Sequence, residues 1–179
     1  PGGKGLNQAV AAARSGADTA MIASLGDDAA GDLLRSVARD AGIDTAQMSS
    51  VRDVPTGRAV IVVDDQAENS IVVIPGANGD AHVVSLPADI VPSTVVLAQL
   101  EVPIDTVSAA FAAARAAGCR TVLNPAPAPP GGLDVEFLAL CDVIVPNEHE
   151  VELLGGAEHL LASGVTTVIV TRGAAGVTV

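Results

Sequence analysis

Short apolar runs alternate with helix-forming segments in this chain, and this alternation limits the folds that it can adopt. From residue 94 onwards the pattern reads strand 94–99, helix 105–117, strand 121–124, helix 133–140, strand 143–146, helix 147–154, strand 167–171 and the start of another strand at 177–179. Strands separated by helices pair in parallel, because each return to the sheet needs a crossover. The chain is therefore predicted to be an α/β protein with a mostly parallel sheet and helices on both faces.

Two further helices and a short strand are predicted before this region. Residues 5–15 are rich in Ala and predict a helix that ends at Gly16, and the apolar run 19–24 predicts a buried strand. Residues 28–41 predict an amphipathic helix that stops at Gly42. Its apolar face is predicted to consist of Leu33, Leu34, Val37 and Ala41.

A β-hairpin is predicted between these helices and the parallel sheet. Residues 56–64 and 69–75 are rich in β-branched side chains and are joined by a polar Asp-Asp-Gln-Ala-Glu turn. Because the hairpin interrupts the alternation of strands and helices, it is predicted to project from the sheet as a separate β element.

Composition and charge exclude several classes of partner. The 179 residues carry a formal net charge of −12 and contain two Phe, no Tyr and no Trp. An acidic surface repels nucleic-acid phosphates, and stacking of single-stranded bases needs aromatic side chains, so no nucleic-acid partner is expected. Cys119 and Cys141 lack metal-binding spacing and are predicted to be buried thiols. No apolar run of about 20 residues is present, so we expect no membrane partner and a cytoplasmic location.

A glycine-rich turn opens the chain, in the sequence Pro-Gly-Gly-Lys-Gly-Leu-Asn-Gln-Ala at residues 1–9. Glycines let a backbone approach a ligand closely, and a helix N-terminus presents free N–H donors. Lys4 and Asn7 supply polar groups that suit sugar hydroxyls. A glycine-rich loop that only begins a helix would have the same letters, so both interpretations stand at this point.

Polar residues also follow three predicted strands. Glu101 follows the strand 94–99, Asn147 and Glu150 follow 143–146, and a Gly-containing turn at 171–176 follows the strand 167–171. Ligands of open parallel sheets bind beyond the carboxyl ends of strands. Asn147 and Glu150 are three apart, which suits Mg²⁺ and phosphate binding but equally suits a helix capping box. For Glu101, the alternative to ligand binding is a carboxylate in a solvated loop. For residues 171–176, the alternative is a plain β-turn.

Taken together and in this order, these motifs resemble the ribokinase branch of the carbohydrate kinases. The resemblance covers nearly the whole chain and is carried by GGKGLNQA, LAQLEVP, LNPAPA, VIVPNEHEVELL and TRGAAGV. It implies transfer of the ATP γ-phosphoryl group to the 5-hydroxyl of D-ribose, with Mg²⁺ and with K⁺ as an activator. It also identifies the segment 56–75 as a lid that closes over the sugar and joins two subunits as a homodimer.

The resemblance assigns a role to each candidate residue. Sugar binding falls to Gly3, Lys4, Gly5, Asn7 and Glu101. Nucleotide binding falls to Asn147, Thr171, Arg172, Gly173, Ala174, Ala175 and Gly176. Glu150 corresponds to the carboxylate that supports magnesium and phosphate.

Two segments of the family pattern have no counterpart in this chain. They are the first strand with its Asn-x-Asp sugar contact and the later Gly-Ala-Gly-Asp segment, whose Asp is the catalytic base. Residues 1–179 are therefore expected to be a partial domain that is inactive by itself, with no catalytic residue of its own. A kinase for a related sugar such as deoxyribose or a ketohexose, a sugar-binding protein without catalysis, and an inert fragment are the alternatives.

Overall fold

The structure is a computed structural model that describes residues 1–63, 69–81, 86–88 and 90–179. The chain divides into two compact units, Pro1–His82 and Val83–Val179. Each unit has its own buried apolar cluster, and burial of that cluster stabilises the unit. The prediction that residues 1–179 form one partial domain stays a prediction.

Two α-helices and two pairs of strands lie in the described residues of the first unit. In chain order they are α1 (Lys4–Arg14), β1 (Ala23–Gly26), α2 (Ala29–Asp40), β2 (Met48–Val51), β3 (Arg58–Val63) and β4 (Asn69–Ile74), followed by a 3-10 helix at Gly76–Asp80. β1 and β2 are parallel, and β3 and β4 form an antiparallel hairpin. The core of this unit consists of Leu6, Leu25, Ala38, Ile43 and Met48.

Both predicted helices of the first unit are confirmed, but one face assignment is wrong. Leu33 is 52% exposed, whereas Ala38 is fully buried in the core. Leu34, Val37 and Ala41 pack against that core as predicted. The reason is the helical period: Leu33 lies about 100° around the helix from Leu34 and therefore falls outside the stripe that positions 34, 37, 38 and 41 form.

The first strand starts later than predicted. It covers Ala23–Gly26 instead of residues 19–24, and Ala20 takes part only in an isolated bridge with Asp44. Its partner, β2, was not predicted, because the sequence Met-Ser-Ser-Val lacks the run of β-branched residues that is typical of strands.

The predicted hairpin is confirmed, with pairing from Arg58 opposite Ile74 to Val63 opposite Asn69. Its predicted turn at 64–68 lies outside the described residues. Eight large aliphatic side chains of β3 and β4 are between 47% and 62% exposed, on both faces of the hairpin. Hydrophobic burial within this unit therefore does little to determine the orientation of the hairpin.

The second unit contains the predicted parallel sheet. Its elements are β5 (Val95–Gln99), α3 (Ile104–Ala116), β6 (Arg120–Asn124), α4 (Val135–Leu138), β7 (Val143–Ile144), α5 (Glu148–Leu153), α6 (Ala157–Ala162), β8 (Thr167–Val168), β9 (Val170–Thr171), a 3-10 turn at Gly173–Ala175 and β10 (Val177–Thr178). The strand order is β5-β6-β7-β8, with all neighbours parallel. β10 turns back antiparallel to β9, and α6 was not predicted.

The core of the second unit lies between this sheet and its helices. Phe111 of α3 and Phe137 of α4 stack with their ring centroids 6.3 Å apart. Leu123 and Ile144, on the neighbouring strands β6 and β7, belong to the same buried cluster. Both cysteines are buried free thiols, as predicted. No helix in the described part of the chain combines the length and the apolarity needed to cross a membrane.

A polar cluster joins β6 to the start of β7 at the edge of the sheet where the strands begin. Asp142 accepts hydrogen bonds from the backbone N–H of Thr121 at 2.8 Å and from Arg115 at 2.6 Å. The Thr121 hydroxyl donates to the carbonyl of Leu140 at 2.6 Å and accepts from the N–H of Asp142 at 2.9 Å. Burial acts to raise the pKa of Asp142, but the bonds from Thr121 and Arg115 outweigh it and lower that pKa.

Candidate active site at the carboxyl ends of the parallel strands

The carboxyl ends of β5 to β8 lie along one edge of the sheet, because all four strands run in the same direction. Gln99 and Asn124 are register partners at the ends of β5 and β6. Asn147 forms an isolated parallel bridge with Thr171. The fold thus brings two predicted nucleotide residues together, and Glu101 follows the end of β5 by two positions.

Asn147 and Glu150 form a capping box at the start of α5. The side-chain oxygen of Asn147 accepts the backbone N–H of Glu150 at 2.8 Å, and Oε2 of Glu150 accepts the backbone N–H of Asn147 at 2.8 Å. Glu150 is only 9% exposed. The structural alternative considered for these two residues is therefore present, and any role in ligand binding comes in addition to it.

The turn that contains Thr171, Arg172 and Gly173–Gly176 is tied to the same edge. The backbone N–H of Thr171 donates to the carbonyl of Pro146 at 2.9 Å. Arg172 pairs with Glu148 of α5 at 3.1 Å, in an exposed position that contributes little to stability. A Cβ built on Gly173 or Gly176 would meet no atom within 4 Å, so both glycines face open space.

Asn124 belongs to this edge, although the sequence interpretation assigned it no role in the site. Its side-chain amide donates to the carbonyl of Val145 at 2.9 Å, which ties the end of β6 to the segment after β7. The peptide bond between Ala126 and Pro127 in the following loop is cis, and the carbonyl of Ala126 accepts the N–H of Leu100. The sequence signal that could have identified Asn124 as a site residue is its position at the end of a predicted strand.

The predicted sugar residues of the first unit lie at the start of α1. Gly3 is the N-cap with φ of 103°, Lys4 is the first helical residue, and the backbone N–H of Asn7 donates to the carbonyl of Gly3 at 3.0 Å. Gly3 makes no side-chain capping bond, so the first N–H groups of this helix lack that type of partner. Lys4 and Asn7, three residues apart, lie on neighbouring positions of one helix face.

Gly2 has no evident structural reason to be glycine. Its φ lies outside the positive range that favours glycine, and a Cβ built on it would meet no atom within 4 Å. Gly3, by contrast, needs glycine for its positive φ. A Cβ at Gly2 would therefore face open space beside the start of α1, where a ligand could approach the backbone closely.

At the carboxyl ends of β5 to β8, the carboxylate of Glu150 could support a Mg²⁺ ion whose other ligands are not protein side chains. Among the residues that the structure describes, no group of three or more His, Cys, Asp or Glu side chains could hold a metal ion. Mg²⁺ in phosphoryl-transfer sites is held by one or two carboxylates together with substrate phosphates and water. A single carboxylate at Glu150 is compatible with that pattern.

Comparison with known proteins places this arrangement among sugar kinases. The family model for pfkB family carbohydrate kinases matches residues 1–179. The ribokinases of Staphylococcus aureus and Haemophilus influenzae are 41% and 42% identical to this chain, and each match covers 98% of this chain. A structure of Arabidopsis thaliana ribokinase complexed with ribose and ATP superposes with a TM-score of 0.85 at 30% identity, over 98% of this chain and 62% of that one. The chain likewise spans 62% of the length of the two bacterial relatives.

Proposed function

The chain belongs to the pfkB family of carbohydrate kinases, and from this premise we propose that the protein transfers the γ-phosphoryl group of ATP to the 5-hydroxyl of D-ribose. The observation that carries the proposal is the similarity to ribokinases, which extends over 98% of this chain and is not confined to one motif. Both substrates are metabolites of the cytoplasm, where we place the protein.

The resemblance to ribokinases supports sugar contacts in each unit taken by itself: residues at the start of α1 in the first unit and Glu101 in the second. Backbone N–H groups at Gly3–Gly5 and the side chains of Lys4 and Asn7 supply donors and an acceptor, which match the mixed character of sugar hydroxyls. The Glu101 carboxylate accepts hydrogen bonds from hydroxyl groups. A ribose analogue that lacks one hydroxyl would leave one of these groups unpaired, which is the physical basis for discrimination against deoxyribose.

The nucleotide is proposed to bind along the edge that Asn147 and the 171–176 turn form. The open surface at Gly173 and Gly176 supports contact with a flat base or ribose face. Glu150 is proposed to support Mg²⁺, which supplies charge neutralisation for the phosphates when bound. Phosphoryl transfer depends on positioning and charge stabilisation, so these groups act by orienting ATP. No residue of this chain is proposed as the base that accepts the sugar proton.

The hairpin of β3 and β4 is proposed to be a lid that also joins two subunits. Its eight aliphatic side chains, exposed on both faces, support the proposal, since such a hairpin gains stability when a partner covers one face. A lid that closes over the sugar excludes water, which would otherwise compete as the acceptor. Sedimentation of the complete gene product tests the dimer. A monomer at micromolar concentration would contradict it.

The activity is tested by ADP release from ATP and Mg²⁺ with the complete gene product. We expect release to depend on D-ribose and to be faster with K⁺ than with Na⁺. Deoxyribose and fructose are the comparison substrates. If kcat/KM for either sugar is higher than for ribose, that sugar and not ribose is the acceptor. No release with any of the three, from folded protein that binds ribose, would support the non-catalytic alternative.

Lys4→Ala tests the sugar site, with Arg14→Ala as the matched control. Both changes remove one positive charge from α1, at its first and its last turn respectively. Loss of one hydrogen bond from a charged group changes affinity by roughly tenfold or more. We expect Lys4→Ala to raise KM for ribose by at least that factor and Arg14→Ala to leave it unchanged. Equal KM values in both variants would rule out a contact between Lys4 and the sugar.

A further inference from the structure

The root of the β3–β4 hairpin, residues 54–57 and 75–78, is packed backbone against backbone. The backbone N–H of Ala77 donates to the carbonyl of Pro55 at 2.9 Å, so the entry and the exit of the hairpin are bonded to each other. A Cβ at Gly76 would lie 2.2 Å from the carbonyl oxygen of Pro55, and one at Gly26 would lie 2.4 Å from the backbone nitrogen of Thr56. Neither position accepts a side chain, so the root fits closely against the end of β1.

One carboxylate organises the polar contacts of this root. Oδ1 of Asp28 accepts the backbone N–H of Gly31 at 2.9 Å and the hydroxyl of Thr56 at 2.6 Å. Oδ2 of Asp28 accepts the backbone N–H of Thr56 at 3.1 Å and the guanidinium of Arg58 at 3.2 Å. The Thr56 hydroxyl in turn accepts the backbone N–H of Gly26 at 2.9 Å. Asp28 and Thr56 therefore link the end of β1, the first turn of α2 and the first strand of the hairpin.

These contacts exceed what capping of α2 requires. A helix N-cap needs only the bond from Asp28 to Gly31. The remaining bonds go to Thr56, which is 2% exposed and lies 28 positions along the chain, and to Arg58. Bonding to the Thr56 hydroxyl, to the N–H groups of Gly31 and Thr56 and to Arg58 lowers the pKa of Asp28 to about 2. The carboxylate is therefore charged throughout the neutral range.

The root is connected to the helix that begins at the proposed sugar residues. Leu6 of α1, Leu25 of β1 and Ala38 of α2 belong to one buried cluster. β1 and α2 are the two elements that Asp28 and Thr56 join to the hairpin. The hairpin strands are exposed on both faces, so packing of their side chains does not determine where they point.

We propose that Asp28 and Thr56 are positioning residues that hold the hairpin in one orientation relative to α1. Neither residue is assigned contact with the sugar. The inference rests on the proposed function, in which α1 binds the sugar and the hairpin closes over it. Loss of the Thr56 hydroxyl would let the hairpin sample orientations that cannot close, which lowers the population competent for sugar binding.

Thr56→Val is the main test, because it keeps the shape of the side chain and removes the hydroxyl. We expect KM for ribose to rise by about tenfold, which corresponds to the loss of one hydrogen bond to a charged acceptor. KM for ATP should change by less than about twofold. Hydrogen exchange of residues 58–63 and 69–74, measured by mass spectrometry, should accelerate more than that of α2. Thr56→Ser restores the hydroxyl and should return both readouts to the wild-type values.

Thr121→Val is the matched control. Thr121 is also a buried threonine that bonds to an aspartate, but it lies in the sheet of the second unit. We expect this variant to be less stable, with an unchanged KM for ribose and unchanged exchange of the hairpin. If Thr121→Val raises KM for ribose as much as Thr56→Val does, general destabilisation explains both and the proposal is overturned.

Asp28→Asn is the second variant, for use if Thr56→Val does not fold. Asn caps helices well, and its oxygen still accepts from Gly31 and from the Thr56 hydroxyl, as Oδ1 of Asp28 does. Its amide nitrogen, in place of Oδ2, cannot accept the backbone N–H of Thr56 or the guanidinium of Arg58. We expect faster hairpin exchange and a smaller rise in KM for ribose. Unchanged exchange would overturn the proposal. If the wild-type protein does not use ribose, the proposed function fails, whereas the exchange measurements still decide the role of Asp28 and Thr56.

Discussion

Glu150 combines a structural bond with a proposed role toward Mg²⁺, and two substitutions separate these contributions. Its carboxylate accepts the backbone N–H of Asn147 at 2.8 Å and is 9% exposed. Glu150→Ala removes this acceptor, so the backbone N–H of Asn147 loses its protein partner. Glu150→Gln keeps an oxygen acceptor in the same place, since Gln also completes capping boxes, but removes the charge.

The two variants should differ in stability by an amount that follows from this geometry. Loss of one cap bond and of the negative charge at the helix start costs about 1–2 kcal/mol, so Glu150→Ala should lower the free energy of unfolding by that amount. Glu150→Gln loses only the interaction of the charge with the helix dipole, about 0.3–1 kcal/mol. Urea denaturation followed by circular dichroism measures both values.

Kinetics of the same variants then test the role of the charge. If the carboxylate supports Mg²⁺, Glu150→Gln should be nearly as stable as the wild type and yet need a higher Mg²⁺ concentration for half-maximal ADP release. If Glu150 only caps α5, Glu150→Gln should keep the wild-type Mg²⁺ dependence while Glu150→Ala loses stability. Wild-type Mg²⁺ dependence in a stable Glu150→Gln variant would therefore refute the proposed role.

Three further predictions concern stability. Gly76→Ala should lower the free energy of unfolding by about 2 kcal/mol or more, because the added Cβ would lie 2.2 Å from the Pro55 carbonyl oxygen at φ of 52°; urea denaturation of this variant with almost wild-type stability would contradict the root packing. Phe111→Ala should cost about 3–5 kcal/mol in the same assay, since the ring is fully buried, and a cost below about 1 kcal/mol would mean that the core collapses around the cavity. The lowered pKa of Asp28 means that its contribution to stability is complete above about pH 4 and is lost as the pH falls towards 2; the difference in urea midpoint between the wild type and Asp28→Asn should therefore shrink over that range, and a constant difference would show that the charge of Asp28 is not involved.

The local sequence pattern predicted most elements of the fold correctly. The helix α3 and the strands β5 and β6 were predicted to within one residue. Short runs with β-branched residues mark the two strands, and an Ala-rich stretch between Pro103 and Gly118 marks the helix. The misplaced face of α2 at Leu33 and the missed strand β2 show the limits of the same signal. Leu33 is a large apolar residue next to the buried stripe of α2, and residue type alone does not tell whether it is buried or exposed. The two serines in the centre of β2 interrupt the alternation of apolar and polar residues that predicts a strand.

The candidate site was predictable in part. The spacing of Asn147 and Glu150 suits both helix capping and ligand binding, and only the three-dimensional structure shows that the capping bonds are present. The cluster at Asp28 and Thr56 had no sequence signal, because a separation of 28 positions carries no information about contact. Asn124 was missed for a similar reason, since its register beside Gln99 depends on how β5 and β6 pair.

The α/β class, the hairpin and the family can be predicted from the residues alone, because periodicity and motif spacing are local properties of the chain. The strand order β5-β6-β7-β8, the position of polar residues at one edge of that sheet, and the close backbone packing at Gly26 and Gly76 are visible only in the folded molecule. These features depend on which distant segments come into contact, and that choice is made by the burial and hydrogen bonding of the whole unit, not by any short stretch of residues.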